Sequence, residues 1–407
     1  MWRDRPGWHP LQQHSFYRLL TWGFLLLAVA SCLKDEEAPP AYQPEYLVEA
    51  VLETKMSRDE VAAMMGQGGF YPPGTEILVR FGVEAWHLTY ETVSPDGESV
   101  VASGALLVPV TTESFPLLAF QHGTLSDPGE APSLFNSPYT DQAAVFASTG
   151  YVMALPDFLG YGASDHLDHP YEHRQSLATA TRDMIRAARE FFLVERREGL
   201  SDQLFLSGYS QGGFATLATL KLLQDAHADE FQVTAATAGG GAYNKTETFR
   251  QIVAADMELP QIGLYLWVLD VYNRIYPELG RPLSEYIREP WAAMITEQGV
   301  FAPVEKNPSM LLQPAFIQGV KTGTDTAFLS ALADNDVFDW RPSMPLRLYH
   351  ATADVIVPYL NAQTAYAAMT AQGAPALEFE PIVGGTHESA FLNYIVGTFG
   401  YFFSIRE

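Results

Sequence analysis

The sequence predicts an α/β protein: a mostly parallel central sheet flanked by helices, with an inserted helical cap. Three observations carry this. From about Pro116 onward, short apolar runs alternate with longer segments of helical periodicity, the pattern of βαβ units around a buried sheet. The pentapeptide Gly208-Tyr209-Ser210-Gln211-Gly212 falls between one such run and one such helix. The alternation lapses between about Gly241 and Asp339, a stretch rich in Tyr, Trp, Phe and Pro, which marks an insertion.

A chain of 407 residues with 47% hydrophobic and 18% charged residues has ample apolar surface to bury, so one large core plus an insertion is expected. Asp and Glu total 48 against 24 Lys and Arg, a formal net charge of -24. Such a charge repels phosphate backbones, so nucleic acid is not an expected partner. Clustered Cys, His and carboxylate ligands and Gly-rich phosphate loops are missing from the sequence, so neither metal nor cofactor is expected.

The N-terminus reads as an address. Arg3, Arg5 and Arg18 precede an apolar run from Leu19 to Ala30, too short for a comfortable membrane span and suited to a signal-peptide core. Val29-Ala30-Ser31-Cys32 resembles a bacterial lipoprotein box, and the resemblance implies cleavage before Cys32 and lipidation there. Cys32 is the only cysteine, so no structural disulfide forms in an oxidising compartment. Lys34-Asp35-Glu36-Glu37 resembles the acidic signal that sends some lipoproteins to the outer face of the outer membrane. Residues 1–31 are thus expected to be a signal peptide and 32–45 a proline-bearing tether. The expected location is outside the cytoplasm, lipid-anchored to a bacterial outer membrane and facing the cell surface.

The folded part follows. Ser57-Arg58-Asp59-Glu60 is a capping-box pattern opening a short helix. Alternation through Ile77–Phe81 and Trp86–Val93, the turn Pro95-Asp96-Gly97, and then Val100–Val108 predict antiparallel strands joined by a hairpin. Buried strands are expected at Leu117–Phe120, Val152–Leu155, Leu204–Leu206, Val233–Ala238, Leu346–Tyr349 and Leu377–Pro381. Helices are expected near Asp141–Ser148, Gln175–Val194, Gly213–Leu223, Asn361–Thr370 and Ser389–Gly397. The core then comprises residues 46–240 and 340–407, and the cap residues 241–339. Six cap aromatics, Tyr265, Trp267, Tyr272, Tyr276, Tyr286 and Trp291, are expected mainly in the cap's own core.

A Gly-x-Ser-x-Gly match means little alone, but here a strand run (Leu204–Ser207) leads in and a good helix (from Gly213) leads out, which is the context of a nucleophile elbow. A serine hydroxyl needs a base, and the base needs an orienting acid, supplied in this fold in the chain order Ser, Asp or Glu, His. His387, in a loop after the last strand, is the candidate base. Asp354, after the strand Leu346–Tyr349, is the candidate acid. Asp334, Asp336 and Asp339 precede that strand and are expected on its wrong side, and His350 is expected to be a packed strand-end residue.

Together, Gln121-His122-Gly123-Thr124, Pro156-Asp157-Phe158-Leu159-Gly160-Tyr161-Gly162-Ala163-Ser164-Asp165, the elbow, Asp354 and His387 resemble α/β-hydrolase esterases and lipases, nearest the secretory lipase group. The resemblance implies an α/β-hydrolase fold in which the backbone amides of Thr124 and Gln211 form the oxyanion hole. It implies hydrolysis of carboxylic esters, with small-molecule, lipid or glycan esters as substrates, through an acyl-enzyme on Ser210. His122 and the Asp157–Ser164 loop are expected to be structural. A peptidase of the same fold, or a catalytically silent surface lipoprotein binding a glycan or protein, are the alternatives.

Overall fold

The computed structural model describes residues 42–67, 74–195 and 197–406. The expected signal peptide, Cys32 and the tether as far as residue 41 lie outside the described residues. The first element is β1 (Leu47–Met56), followed by α1 (Arg58–Gln67), β2 (Val83–Val93) and β3 (Ser99–Pro109). The capping box forms as expected: Glu60 N–H donates to Ser57 Oγ at 3.3 Å, and Ser57 N–H returns a bond to Glu60 Oε2 at 2.7 Å. In the hairpin, Val93 pairs with Ser99 across a turn in which Gly97 takes φ 82, a region that costs glycine little.

One expectation needs correction here, and one strand was not expected. Ile77–Phe81 is not a strand: Thr75–Leu78 form one 3₁₀ turn, and the amides of Arg80 and Phe81 donate to Ser148 O at 2.9 and 3.0 Å. Both edges of β2 are already occupied, by β1 and β3, so this segment has no free sheet edge to join. β1 itself escaped the reading because it is an edge strand, with Glu49, Glu53 and Lys55 breaking its apolar pattern.

The remaining strands match the apolar runs: β4 (Phe115–Gln121), β5 (Val152–Pro156), β6 (Leu200–Tyr209), β7 (Val233–Gly239), β8 (Leu346–Ala351) and β9 (Leu377–Ile382). The nine strands order as β1-β2-β3-β5-β4-β6-β7-β8-β9, antiparallel as far as β3/β5 and parallel from there on. Helices α2 (Pro138–Ser148), α3 (Arg174–Val194), α4 (Gln211–Ala226), α11 (Leu360–Ala371) and α12 (Ala390–Ile405) supply the connections and the last element. One apolar layer packs α3, α4 and α11 against the sheet, and the other packs α1, α2 and α12. Covered on both faces, Leu204, Phe205 and Leu206 of β6 are all fully buried, which explains why this strand reads as a continuous apolar run.

Between β7 and β8 the chain makes six helices: α5 (Lys245–Ala254), α6 (Ile262–Ile275), α7 (Trp291–Gln298), α8 (Pro308–Leu311), α9 (Pro314–Thr322) and α10 (Thr326–Asp334). They enclose an apolar cluster of their own that includes Tyr272, Tyr286, Val320 and Phe328. Their junction with the rest is polar. Asn244 caps α5 by accepting from Glu247 N–H at 2.9 Å, and Arg174 N–H donates to Asn335 Oδ1 at 2.8 Å. The ammonium of Lys245 is buried, paired with Glu172, donates to Ala242 O at 2.9 Å and lies 3.6 Å from the ring centroid of Phe214. Among the described residues, no helix is long and apolar enough to cross a membrane.

At the outer edge of the sheet one carboxylate fastens the start of β1. Glu190 of α3 accepts from Tyr42 Oη at 3.0 Å and from the amides of Glu45, Tyr46 and Leu47 at 2.8, 2.8 and 2.7 Å.

The Glu172–Lys245 pair yields a stability prediction. Removing one partner of a buried pair leaves the other charge uncompensated, so Lys245→Met is expected to cost about 3–5 kcal/mol in urea unfolding. Adding Glu172→Leu is expected to recover most of that loss. Equal stability of Lys245→Met and wild type would show that the pair does not hold the inserted helices to the core.

Candidate active site

Ser210 stands at the junction of β6 and α4 with φ 60 and ψ -122, a conformation unfavourable for any residue with a side chain. The turn is closed by Ser210 N–H donating to Gly239 O at 2.8 Å and Phe214 N–H donating to Ser210 O at 3.1 Å. Two flanking glycines make it possible. A Cβ at Gly208 would lie 2.3 Å from Gly212 O, and one at Gly212 would lie 2.0 Å from Gln121 O, so no larger residue fits at either position. The outcome is a serine side chain raised above the C-terminal ends of the parallel strands at the head of α4.

His387 sits between β9 and α12, and Asp354 just after β8. The structure brings these residues together with Ser210. His387 Nε2 is 2.8 Å from Ser210 Oγ, and His387 Nδ1 is 2.6 Å from Asp354 Oδ2. A carboxylate accepts, so Nδ1 carries the proton and the Nε2 lone pair faces the hydroxyl. The His387 backbone is held as well, because Tyr209 Oη donates to His387 O at 2.6 Å. Asp354 Oδ1 accepts the amides of Ile356 and Val357 at 2.9 and 2.8 Å. Burial would push its carboxyl up, but bonds from His350, His387 and the Val357 amide outweigh burial and hold it well below the usual carboxylate range. Asp354 therefore stays ionised beside the imidazole.

The rival acids are engaged elsewhere: Asp336 accepts from Thr246, and Asp334 from Arg174 and Tyr276. His350 is fully buried at the end of β8, as expected of a packed residue, yet its Nε2 lies 3.4 Å from Asp354 Oδ2. Nothing in the sequence marked that contact beyond its placement four residues before Asp354.

Thr124 and Gln211 flank the serine from two directions. Gln211 follows it as the first residue of α4, where the helix dipole presents positive potential. Its side chain is tied back: Gln211 Nε2 donates to His169 Nε2 at 2.6 Å, and His169 Nδ1–H donates to Leu159 O at 2.7 Å. Burial pushes the His169 imidazole down to about 3, so it stays neutral and able to accept. Thr124 Oγ1 is 2.9 Å from Tyr171 Oη, which fixes the end of the β4 loop. Gly123 lets that loop approach, since a Cβ there would stand 2.6 Å from Tyr139 Oη and 3.7 Å from Ser210 Cβ. His122 is buried, with ring nitrogens 2.6 Å from Gly123 O and 3.0 Å from Asp157 O. Asp157 accepts from Ser103 Oγ at 2.6 Å and Ser133 N–H at 2.8 Å, knitting its loop to β3.

Gly123, Thr124, Ser210 and His387 line a cleft of about 420 Å³ together with Glu130, Tyr139, Tyr209, Gln261, Leu264, Ile356, Glu388 and Phe391. Gln261 and Leu264 come from the inserted helices. None of the six aromatics singled out in the insertion lines this cleft. Tyr272 and Tyr286 lie in the insertion's own apolar cluster, Trp267 stacks on Tyr171 at 4.2 Å, and Tyr265 Oη donates to Ile356 O at 2.6 Å. Sequence patterning missed Tyr139, Leu264, Ile356 and Phe391 because they come from four separate segments that only the fold brings to one cleft.

The comparisons agree with this architecture. A Legionella pneumophila protein of known structure superposes with a TM-score of 0.78 at 24% identity, covering 89% of this chain and 98% of that one. The rice cell wall degrading esterase LipA from Xanthomonas oryzae superposes with a TM-score of 0.76 at 25% identity, covering 89% of this chain and 99% of that one. The nine-stranded, mostly parallel sheet flanked by helices is thus an α/β-hydrolase fold. By sequence, a secreted triacylglycerol lipase of Malassezia globosa is 24% identical over 326 residues, 72% of this chain and 66% of that protein. The chain therefore spans just under two thirds of that relative's length. The model of the secretory lipase family matches residues 142–394, more than half of the chain and inclusive of Ser210, Asp354 and His387. The chain belongs to the secretory lipase family.

Proposed function

We propose that the protein is an exported serine hydrolase that cleaves carboxylic esters through an acyl-enzyme on Ser210. The supporting observation is the unbroken chain of hydrogen bonds from Ser210 Oγ through His387, both lining the cleft, to the buried Asp354. Family membership supports ester hydrolysis, as do the relatives named triacylglycerol lipase and esterase.

In this reading the Ser210 hydroxyl attacks the ester carbonyl while His387 Nε2 takes its proton. Asp354, ionised and anchored by two backbone amides, stabilises the imidazolium that forms and holds its tautomer. The oxyanion develops beside the amides of Thr124 and Gln211, at the head of α4. His387 then protonates the leaving alcohol, and a water activated by the same nitrogen releases the acid. The six helices between β7 and β8 serve as a cap, contributing Gln261 and Leu264 to the wall of the acyl or alcohol pocket. Export follows from the signal-peptide pattern and the secreted relative, and Cys32 is the site of a lipid anchor to the outer membrane.

Ser210→Ala is expected to lower kcat on p-nitrophenyl esters by on the order of 10⁴- to 10⁶-fold while leaving the melting temperature nearly unchanged. It is also expected to abolish labelling by a fluorophosphonate. Wild-type turnover in this variant would refute the reading. Gly123→Ala, whose methyl group would collide with the Tyr139 hydroxyl and so displace either that side chain or the loop, is expected to cost about 10-fold or more in kcat with little change in KM. Cys32→Ser is expected to shift the protein from membrane to soluble fractions and to abolish metabolic labelling with a fatty-acid probe. Membrane retention together with loss of label would argue instead for an uncleaved apolar anchor.

A further inference from the structure

We propose that His350 is a positioning residue that shares the Asp354 carboxylate with His387 and thereby sets the basicity of His387. The proposal rests on the reading of Asp354 and His387 as orienting acid and base.

Three observations carry it. His350 Nε2 is 2.9 Å from Val357 O and 3.4 Å from Asp354 Oδ2, the same oxygen that accepts His387 Nδ1–H at 2.6 Å. A carbonyl oxygen only accepts, so Nε2 carries a proton, bonded to Val357 O and standing close to Asp354 Oδ2. Secondly, Oδ1 accepts two amides and Oδ2 accepts His387 Nδ1–H, and the His350 imidazole is the further polar neighbour of the carboxylate, 3.4 Å from Oδ2. Thirdly, His350 is fully buried and its Nδ1 has no hydrogen-bond partner. A buried acceptor without a partner is costly, and a leucine or phenylalanine could fill this space without it. The residue is therefore better explained by what its Nε2–H does than by packing.

That N–H draws charge from Oδ2. Less charge there means a weaker pull of Asp354 on the proton of His387 Nδ1. The other groups facing this unit are Tyr209 from β6, Tyr265 from α6, Tyr359 ahead of α11 with its ring 5.8 Å from that of His350, and Glu130 and Glu388 along the cleft. Burial, reinforced by the Asp354 charge, pushes Tyr265 up to about 12 and drives Tyr209 up as well, so neither ionises in the working range. Glu130 and Glu388 are the same in every variant below.

The test compares pH profiles of kcat/KM for wild type, His350→Leu and His350→Gln on one p-nitrophenyl ester, with melting temperatures in parallel. Removing the shared donor leaves more charge for His387, so the acid limb of His350→Leu is expected to move to higher pH by about half a unit or more. Its kcat is expected to fall about 10-fold with KM little changed. His350→Gln, which offers an N–H at similar reach, is expected to restore both the limb and kcat. An acid limb of His350→Leu that overlays wild type overturns the proposal, as does failure of glutamine to restore it.

Histidine ¹⁵N spectra of the wild type need no His350 variant and serve if His350→Leu does not fold. They are expected to show His350 as the Nε2–H tautomer with a resonance that moves as His387 titrates, and an invariant resonance overturns the proposal. Turnover by Ser210→Ala would sink the underlying mechanism. A dead Ser210→Ala with an unshifted His350→Leu profile would sink only the role of His350.

Discussion

The backbone of Ser210 holds a conformation that side chains avoid, and the surrounding structure has been shaped so that it can. Gly208 and Gly212 lie in van der Waals contact with backbone carbonyls on either side, leaving no room for a methyl group. The turn also relies on β7 as a neighbour, because Gly239 O accepts the Ser210 amide. A local strain of order 1–3 kcal/mol persists only where the fold over-determines it. Here the parallel sheet provides that determination, because β4 is buried along its length and β7 is buried from Ala235 to Gly239, beside the turn. What the strain achieves is position: the hydroxyl clears the sheet and meets an imidazole delivered from a loop 177 residues later.

Around that turn the polar groups are arranged in successive shells, each held by the next. Gln211 is tied by His169, and His169 by Leu159 O. Thr124 is tied to Tyr171, whose ring is stacked on Trp267 of the inserted helices. Asp354 is tied by Ile356 and Val357, and Ile356 O in turn accepts from Tyr265 of the same insertion. Thus the insertion touches the proposed oxyanion loop and the acid loop through side chains that never enter the cleft. Tyr265 and Trp267 thus join the insertion to loops beside the site, while Tyr272 and Tyr286 pack within the insertion.

Legibility in the sequence followed the range of the physical signal. β4 to β8 were visible because strands covered on both faces are largely apolar, β9 because its Leu and Phe alternate with polar residues at the sheet's other edge, and the elbow because its glycines are fixed by steric contact. Asp354 and His387 could be placed because chain order in this fold constrains them. β1 was invisible because an edge strand tolerates charge, and Ile77–Phe81 misled because a propensity for strand is not a vacant edge to pair with. The role of His350, and the lining by Leu264 and Phe391, depend on distances across the fold that no local pattern encodes.

Consider finally the grip of Glu190 on residues 42–47. These residues lead into β1, five positions across the sheet from β6, a lateral offset of about 24 Å at normal strand spacing. A pull on residues 42–47 would therefore pass into β1 and the long helix α3 at the sheet's margin before reaching the serine's strand, so strain applied there is spent far from the strained turn.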